Sequence, residues 1–158
     1  MVSRNSLHHI CMFYATYFAA MGIVLPFFPV WLAGRGMDVA AIGVFTGLLS
    51  VAKVLAPPAV GHALDRHPRP ARFIMFASLV AGVLTLFLPW ASSDWLLAVL
   101  VLGFGCLWAA ILPLTDGLSV TVSELAKVEY GRLRVWGSIG FVVASLLGGV
   151  WLADNQAL

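Results

Sequence analysis

The sequence predicts an all-α membrane protein, a helical bundle of about five transmembrane helices, and three observations support this. The residues are 61% hydrophobic and only 10% charged, with a mean hydropathy of +0.98; a water-soluble domain carries roughly 25% charged residues. Apolar stretches recur at bilayer length, about 20 residues each. Basic residues gather in alternate connections between those stretches. At 158 residues the chain is one domain's worth, yet a soluble fold has no interior large enough to hide so much apolar surface.

Taken in order, the first span covers about residues 10–33. Its apolar run is too long for a signal peptide's core of about 7–15 residues, and Pro26 and Pro29 interrupt it. The second, about 40–63, carries Gly43 and Gly47 one turn apart and the Pro57-Pro58 pair. The third, about 72–91, holds Pro89, and the fourth, about 95–120, holds Pro113. The fifth, about 135–153, carries Gly140, Ala144 and Gly148 at four-residue spacing, a row of small residues that lets another helix approach closely. Each proline removes a backbone donor and is expected to bend or loosen its helix. Short connections make consecutive spans antiparallel neighbours.

Arg4, Arg66, Arg69, Arg72, Lys127, Arg132 and Arg134 fall on one side of this arrangement, and Arg35 alone on the other. The bias places the N-terminus in the cytoplasm and, after five crossings, residue 158 outside. A net charge of +2 is too small to suggest a nucleic-acid partner; the partner implied is the lipid bilayer. Cys11 and Cys106 lie inside apolar runs with neither a disulfide frame nor a metal-ligand spacing, and no cofactor is expected. An enzyme would need a catalytic set. Gly137-Ser138-Ile139-Gly140 lacks the spacing of a nucleophile elbow, and Asp116-Gly117 is not followed by further aspartates able to hold a metal.

Three charges lie within or at the edge of the oil. Lys53 is thirteen residues into the second span, about 20 Å along a helix, where a charge costs roughly 2.5–3.5 kcal/mol. Thr46, Ser50, Lys53 and Pro57 share one face. That face reads as lining a cavity, or Lys53 snorkels along its own stem. Asp116 stands some 31 Å beyond Trp95 by the same rise, approaching the cytoplasmic side. Arg134 begins the fifth span from that side, eighteen positions later. Alone, Arg134 reads equally well as a positive-inside anchor. As a pair at similar depth, the two charges can meet.

Four stretches resemble the major facilitator superfamily, in the branch with the lactose and phenylpropionate permeases. They are Met21-Gly22 with Leu25-Pro26-Phe27-Phe28-Pro29-Val30-Trp31-Leu32; Gly61-His62-Ala63-Leu64-Asp65-Arg66-His67-Pro68-Arg69; Pro113-Leu114-Thr115-Asp116; and Tyr130-Gly131-Arg132-Leu133-Arg134-Val135-Trp136-Gly137-Ser138-Ile139-Gly140-Phe141. The second departs from the superfamily's loop motif, with Pro68 at its glycine and Pro70 at its last basic residue. The resemblance implies a fold of about twelve spans, so residues 1–158 read as an incomplete N-terminal transmembrane domain, part of one six-helix half, whose missing partner is the C-terminal half.

The resemblance also assigns roles. It makes Asp116 and Arg134 substrate-binding, with Phe141 where the lactose permease type stacks an aromatic ring on sugar; phenylalanine there is also ordinary lipid-facing filler. Lys53 joins the substrate-binding set from its depth. Gly61, Asp65, Arg66 and Arg69 belong to a gating loop, and the three charged ones would set topology in any case. The function implied is secondary active transport of a small organic solute across the cytoplasmic membrane, with protons as coupling ion, by alternating access between two halves. An aromatic carboxylic acid suits the PLTD stretch and Lys53; a sugar or nucleoside is the alternative. From another class, the chain reads as a complete five-span subunit acting in assembly, or dimerising into a small exporter.

Overall fold

The computed structural model describes residues 4–66 and 69–156, with side chains over 6–63 and 69–154. Five long helices follow one another: α1 (Arg4–Gly34), α2 (Val39–Arg66), α3 (Pro70–Phe87), α4 (Asp94–Ala126) and α5 (Tyr130–Gln156). A single 3₁₀ turn, Leu88–Trp90, follows α3. All five are long and apolar enough to cross a membrane, over Ser6–Gly34, Val39–Ala63, Pro70–Trp90, Asp94–Ala126 and Tyr130–Asp154. Large apolar side chains such as Val54, Leu79, Leu146 and Val150 point outward. That surface suits hydrocarbon rather than water.

The helices extend beyond the apolar stretches because polar residues continue or cap them. Asp38 accepts the Ala41 N–H at 2.7 Å and Ser93 accepts the Leu96 N–H at 3.3 Å, relieving the unbonded donors that open α2 and α4. Gly36 takes the left-handed conformation after α1 (φ 80°), where the Met37 N–H reaches back to the Leu32 carbonyl. Lys127 does the same after α4 (φ 54°), with the Val128 N–H on the Ser123 carbonyl. Both are helix stops that satisfy the last carbonyls. Pro70 opens α3 in its first turn, where a missing N–H is harmless; this gives a local reason for proline at that position.

Five of the prolines leave their helices unbroken. Pro26, Pro29, Pro57, Pro58 and Pro113 all sit inside continuous helices. Pro89 alone falls past a helix end, in the 3₁₀ turn after α3. Pro26 shows how such a gap is filled. It cannot donate to the Gly22 carbonyl four residues earlier, and the Ser145 hydroxyl of α5 donates to that carbonyl instead, at 2.9 Å. Helical hydroxyls elsewhere return to their own backbone: Thr46 to Ile42, Thr85 to Ala81 and Thr115 to Ile111 carbonyls, each at 2.8 Å.

The chain packs as two compact units, Met1–Met37 with Ser119–Leu158, and Asp38–Leu118. In the first, α1 and α5 run parallel in close contact. Gly137, Gly140, Ser145 and Gly148 of α5 meet Phe18, Ala15, Gly22 and Phe27 of α1 in turn. A Cβ at Gly22 would lie 2.5 Å from the Phe141 carbonyl oxygen, and one at Gly148 would lie 2.5 Å from the Phe27 ring. The row of small residues thus packs against a helix more than a hundred positions away. In the second unit α2 and α4 approach where Gly105 meets Leu49 and Ala52. Nearer their starts, Ala41, Val44 and Phe45 share a groove with Asp94, Trp95 and Ala98, so these two are parallel. α3 runs antiparallel to α4: Leu84 touches Gly103, while Ala71 and Arg72 border a groove with Leu118.

Ser145→Ala removes the donor that fills the proline gap. Interhelical hydrogen bonds in membranes average about 0.6 kcal/mol and reach about 1.7. A carbonyl already denied its intrahelical donor belongs toward the upper end. Thermal unfolding of the purified chain in detergent should shift down by a few degrees with helix content unchanged; an unshifted transition would mean that water satisfies Gly22 equally well.

Candidate functional site

Arg134 lies in the second turn of α5, half-buried, on the stripe that meets α1. Its guanidinium carbon stands 4.5 Å from the centre of the Phe18 ring and 5.3 Å from that of Tyr14. Both distances are within cation–π range, about 6 Å. The rings are four positions apart on α1, so they stack along one helix face, with centroids 6.5 Å apart. They belong to a larger cluster: Tyr17 meets Phe18 edge-on at 5.5 Å, and Phe13 stacks on Tyr17 at 5.9 Å. Tyr14 is wholly buried and Tyr17 nearly so.

Phe141 follows Arg134 by seven positions, two helical turns, and therefore shares its stripe. Its carbonyl lies against Gly22, so it stands on the α1-facing side of α5 and is half-buried. Asp116 is half-buried on α4, in the second unit. It sits among a buried hydroxyl row on that helix, Thr115, Ser119 and Ser123 at four-residue spacing. Thr115 and Ser123 bond to carbonyls of their own helix. Lys53 is exposed, beside rather than on the buried stripe of α2 formed by Phe45, Ala52 and Ala56. It lies fourteen residues past Val39, about 21 Å along α2, near the middle of that helix.

The structure thus brings Arg134 and Phe141 onto one face, and places Lys53 and Asp116 on the two parallel helices of the other unit. In the loop motif, Gly61 is half-buried in α2, and a Cβ there would meet nothing within 4 Å. Arg69 is exposed just ahead of α3. The side chains of Asp65 and Arg66, and the whole of Pro68, lie outside the described residues. The aromatic partners of Arg134 escaped sequence reasoning. Their signal was two i, i+4 aromatic pairs in one span, Phe13 with Tyr17 and Tyr14 with Phe18.

A groove of about 510 Å³ opens at the other end of the α1–α5 pair, lined by Ile23, Phe27, Trp31, Arg35, Gly148 and Trp151 among others. Apart from Arg35, which stacks on Trp31 at 5.0 Å, its lining is apolar. A solute site needs a few convergent polar groups to fix orientation, and this groove lacks them. Arg134, by contrast, carries a planar donor fork of the kind suited to a carboxylate or vicinal hydroxyls, backed by ring faces.

Comparison with known proteins agrees on a family. The profile described as the MFS_1 like family matches residues 7–156. The chain is 36% identical over 140 residues to the probable 3-phenylpropionic acid transporter of Escherichia coli (strain K12), covering 86% of this chain and 36% of that one. It is 32% identical over 147 residues to the maltose permease of Geobacillus stearothermophilus, covering 92% and 37%. It is 24% identical over 147 residues to the lactose permease of Citrobacter freundii, covering 86% and 35%. The chain therefore spans a little over a third of the length of these relatives. No solved structure matches it significantly.

Proposed function

The chain belongs to the major facilitator superfamily, and from that premise we propose that it forms part of a secondary transporter moving an aromatic carboxylic acid across the cytoplasmic membrane. The observation that carries this reading is Arg134: a guanidinium half-buried in a membrane-length helix and backed by aromatic rings. A carboxylate solute supplies the paired oxygens that accept from its fork, and an aromatic body suits the rings around it. Asp116 shares the solute, accepting its hydroxyl or protonated carboxyl, and Lys53 adds positive charge at mid-depth. Phe141, on the Arg134 stripe, contacts the solute's apolar part. Gly61, Asp65, Arg66 and Arg69 form the cytoplasmic gate. Uptake is driven by protons, and the second half of the transporter supplies the opposite wall of the site.

A second reading has its own support. The maltose permease similarity, at 32% over most of this chain, favours a sugar, for which Arg134 and Asp116 would bond hydroxyls. The test is uptake into proteoliposomes under an imposed pH gradient, with 3-phenylpropionate and maltose in parallel. The complete transporter should accumulate 3-phenylpropionate only when the outside is acidic. Maltose uptake instead favours the sugar reading, and uptake indifferent to the gradient removes proton coupling. The 158-residue chain alone should accumulate neither, since one wall cannot alternate its access.

The same reading puts the N-terminus inside. A cysteine placed at Ser93 should react with an impermeant thiol reagent added outside intact cells, and one at Ala71 should not. The reverse pattern would remove the gate residues from the cytoplasmic face.

A further inference from the structure

We infer that the outer face of α2 receives a carboxylate-bearing helix from the part of the transporter beyond residue 158. That helix pairs with Lys53 and donates a hydrogen bond to the carbonyls that Pro57 and Pro58 leave without their usual donors. This rests on the reading of the chain as part of a longer transporter, and it gives Lys53 a counter-charge while the solute site is empty.

Pro57 and Pro58 lie inside the continuous α2 helix, so the carbonyls four residues earlier, those of Lys53 and Val54, lose their usual donors. Both stand halfway along a membrane-length helix, and in hydrocarbon only a neighbouring side chain can replace a donor. α1 shows the remedy. Ser145 of α5 donates to the Gly22 carbonyl that Pro26 leaves open, across a row of small residues. Among the described residues no side chain does this for Lys53 or Val54, and Ser50 on the same face donates to its own helix at Thr46. Yet α2 carries the other half of the arrangement. Gly43, Gly47, Ser50, Val54, Pro57 and Gly61 recur at four- and three-residue spacing and share one face, away from the buried Phe45, Ala52 and Ala56. A Cβ at Gly43, Gly47 or Gly61 would meet nothing within 4 Å, so a helix can approach closely there.

The chemistry of this face selects its occupant. Lipid would leave an ammonium and two carbonyls in hydrocarbon, and the surface of this chain that suits lipid is different: α3 exposes Met75, Phe76, Leu79 and Leu86. Lys53, beside the small-residue row, is exposed and has no partner among the described residues. Charges within a membrane pair with one another or face water. A helix with a carboxylate and a hydroxyl or amide donor answers all three groups at once. The match to the probable 3-phenylpropionic acid transporter covers 36% of that protein, which leaves ample chain to supply such a helix.

The complete transporter tests this in membranes, with the photo-crosslinker para-benzoylphenylalanine in place of Val54, or of Ser50 if that variant does not fold. The expected product joins α2 to a peptide of the same polypeptide from beyond residue 158. Capture of lipid alone, of a second copy, or of residues within 1–158 overturns the proposal. So does a Val54→Cys thiol, in a background without other cysteines, that a water-soluble reagent modifies as fast as Ser93→Cys, since the face then lines water. For the charge, Lys53→Met strands the partner carboxylate and should lower the thermal midpoint of the purified protein by several degrees. Neutralising one Asp or Glu of the captured helix should restore at least half of that loss. A midpoint unmoved or raised by Lys53→Met, or lowered without rescue by any acid of that helix, also overturns the proposal. A gene product that ends at residue 158 removes the reading of a longer transporter and this proposal with it; lipid capture in a longer product removes this proposal alone.

Discussion

Gly140→Val should abolish the close packing of α1 on α5. Any Cβ at position 140 falls on the Ala15 carbonyl oxygen of α1, and that is backbone, with no side chain to swing aside. The helices must separate or slide, which also strains the Ser145–Gly22 hydrogen bond and the contacts of Gly137 and Gly148 along the same stripe. Overpacking a tight contact costs about 1–3 kcal/mol when side chains can adjust; here the upper end or more is expected. Gly149 supplies the control, since a Cβ there meets nothing within 4 Å. In thermal unfolding of the purified chain in detergent, Gly140→Val should lower the midpoint by many degrees and Gly149→Val should barely move it. Equal effects would mean that the two helices are not this close.

The second large effect belongs to the charges. Arg134→Lys keeps a positive charge and so keeps any contribution to topology, but replaces a planar fork by a point donor. Losing charge-assisted hydrogen bonds costs about 1.5–3 kcal/mol, or roughly 10- to 100-fold in affinity. On the proposed role of Asp116, Asp116→Asn removes an acceptor charge and should weaken binding by a similar factor. Both variants should insert and express as the unmutated transporter does. A pure anchor role for Arg134 predicts near-normal binding after the lysine exchange.

The sequence carried the five spans and their order because hydropathy at bilayer length is set by composition alone. It placed their ends short, by six residues at the start of α1 and at the end of α4, because hydropathy stops at the first polar residues. The helix runs on until a left-handed stop such as Lys127. The prolines read as interruptions, yet a helix can be mended from outside, as Ser145 mends Gly22; no local pattern reveals a donor more than a hundred positions away. The same distance hid the rings beside Arg134. Arg134 stood out as a charge at the edge of oil, and the small-residue row of α5 announced a close neighbour. Which helix that neighbour is, and hence that Tyr14 and Phe18 face the arginine, emerges only from packing.

The central claim is that the ring-held arginine of α5 grips the solute's carboxylate. The measurement that tests it most directly compares equilibrium binding of 3-phenylpropionate with binding of its uncharged alcohol analogue, 3-phenylpropan-1-ol, by the complete transporter and by Arg134→Lys. The unmutated protein should prefer the carboxylate, and in Arg134→Lys that preference should shrink about tenfold or more, with affinity for the alcohol little changed. A preference of the same size in both proteins would contradict the claim and leave Arg134 an anchor of the helix.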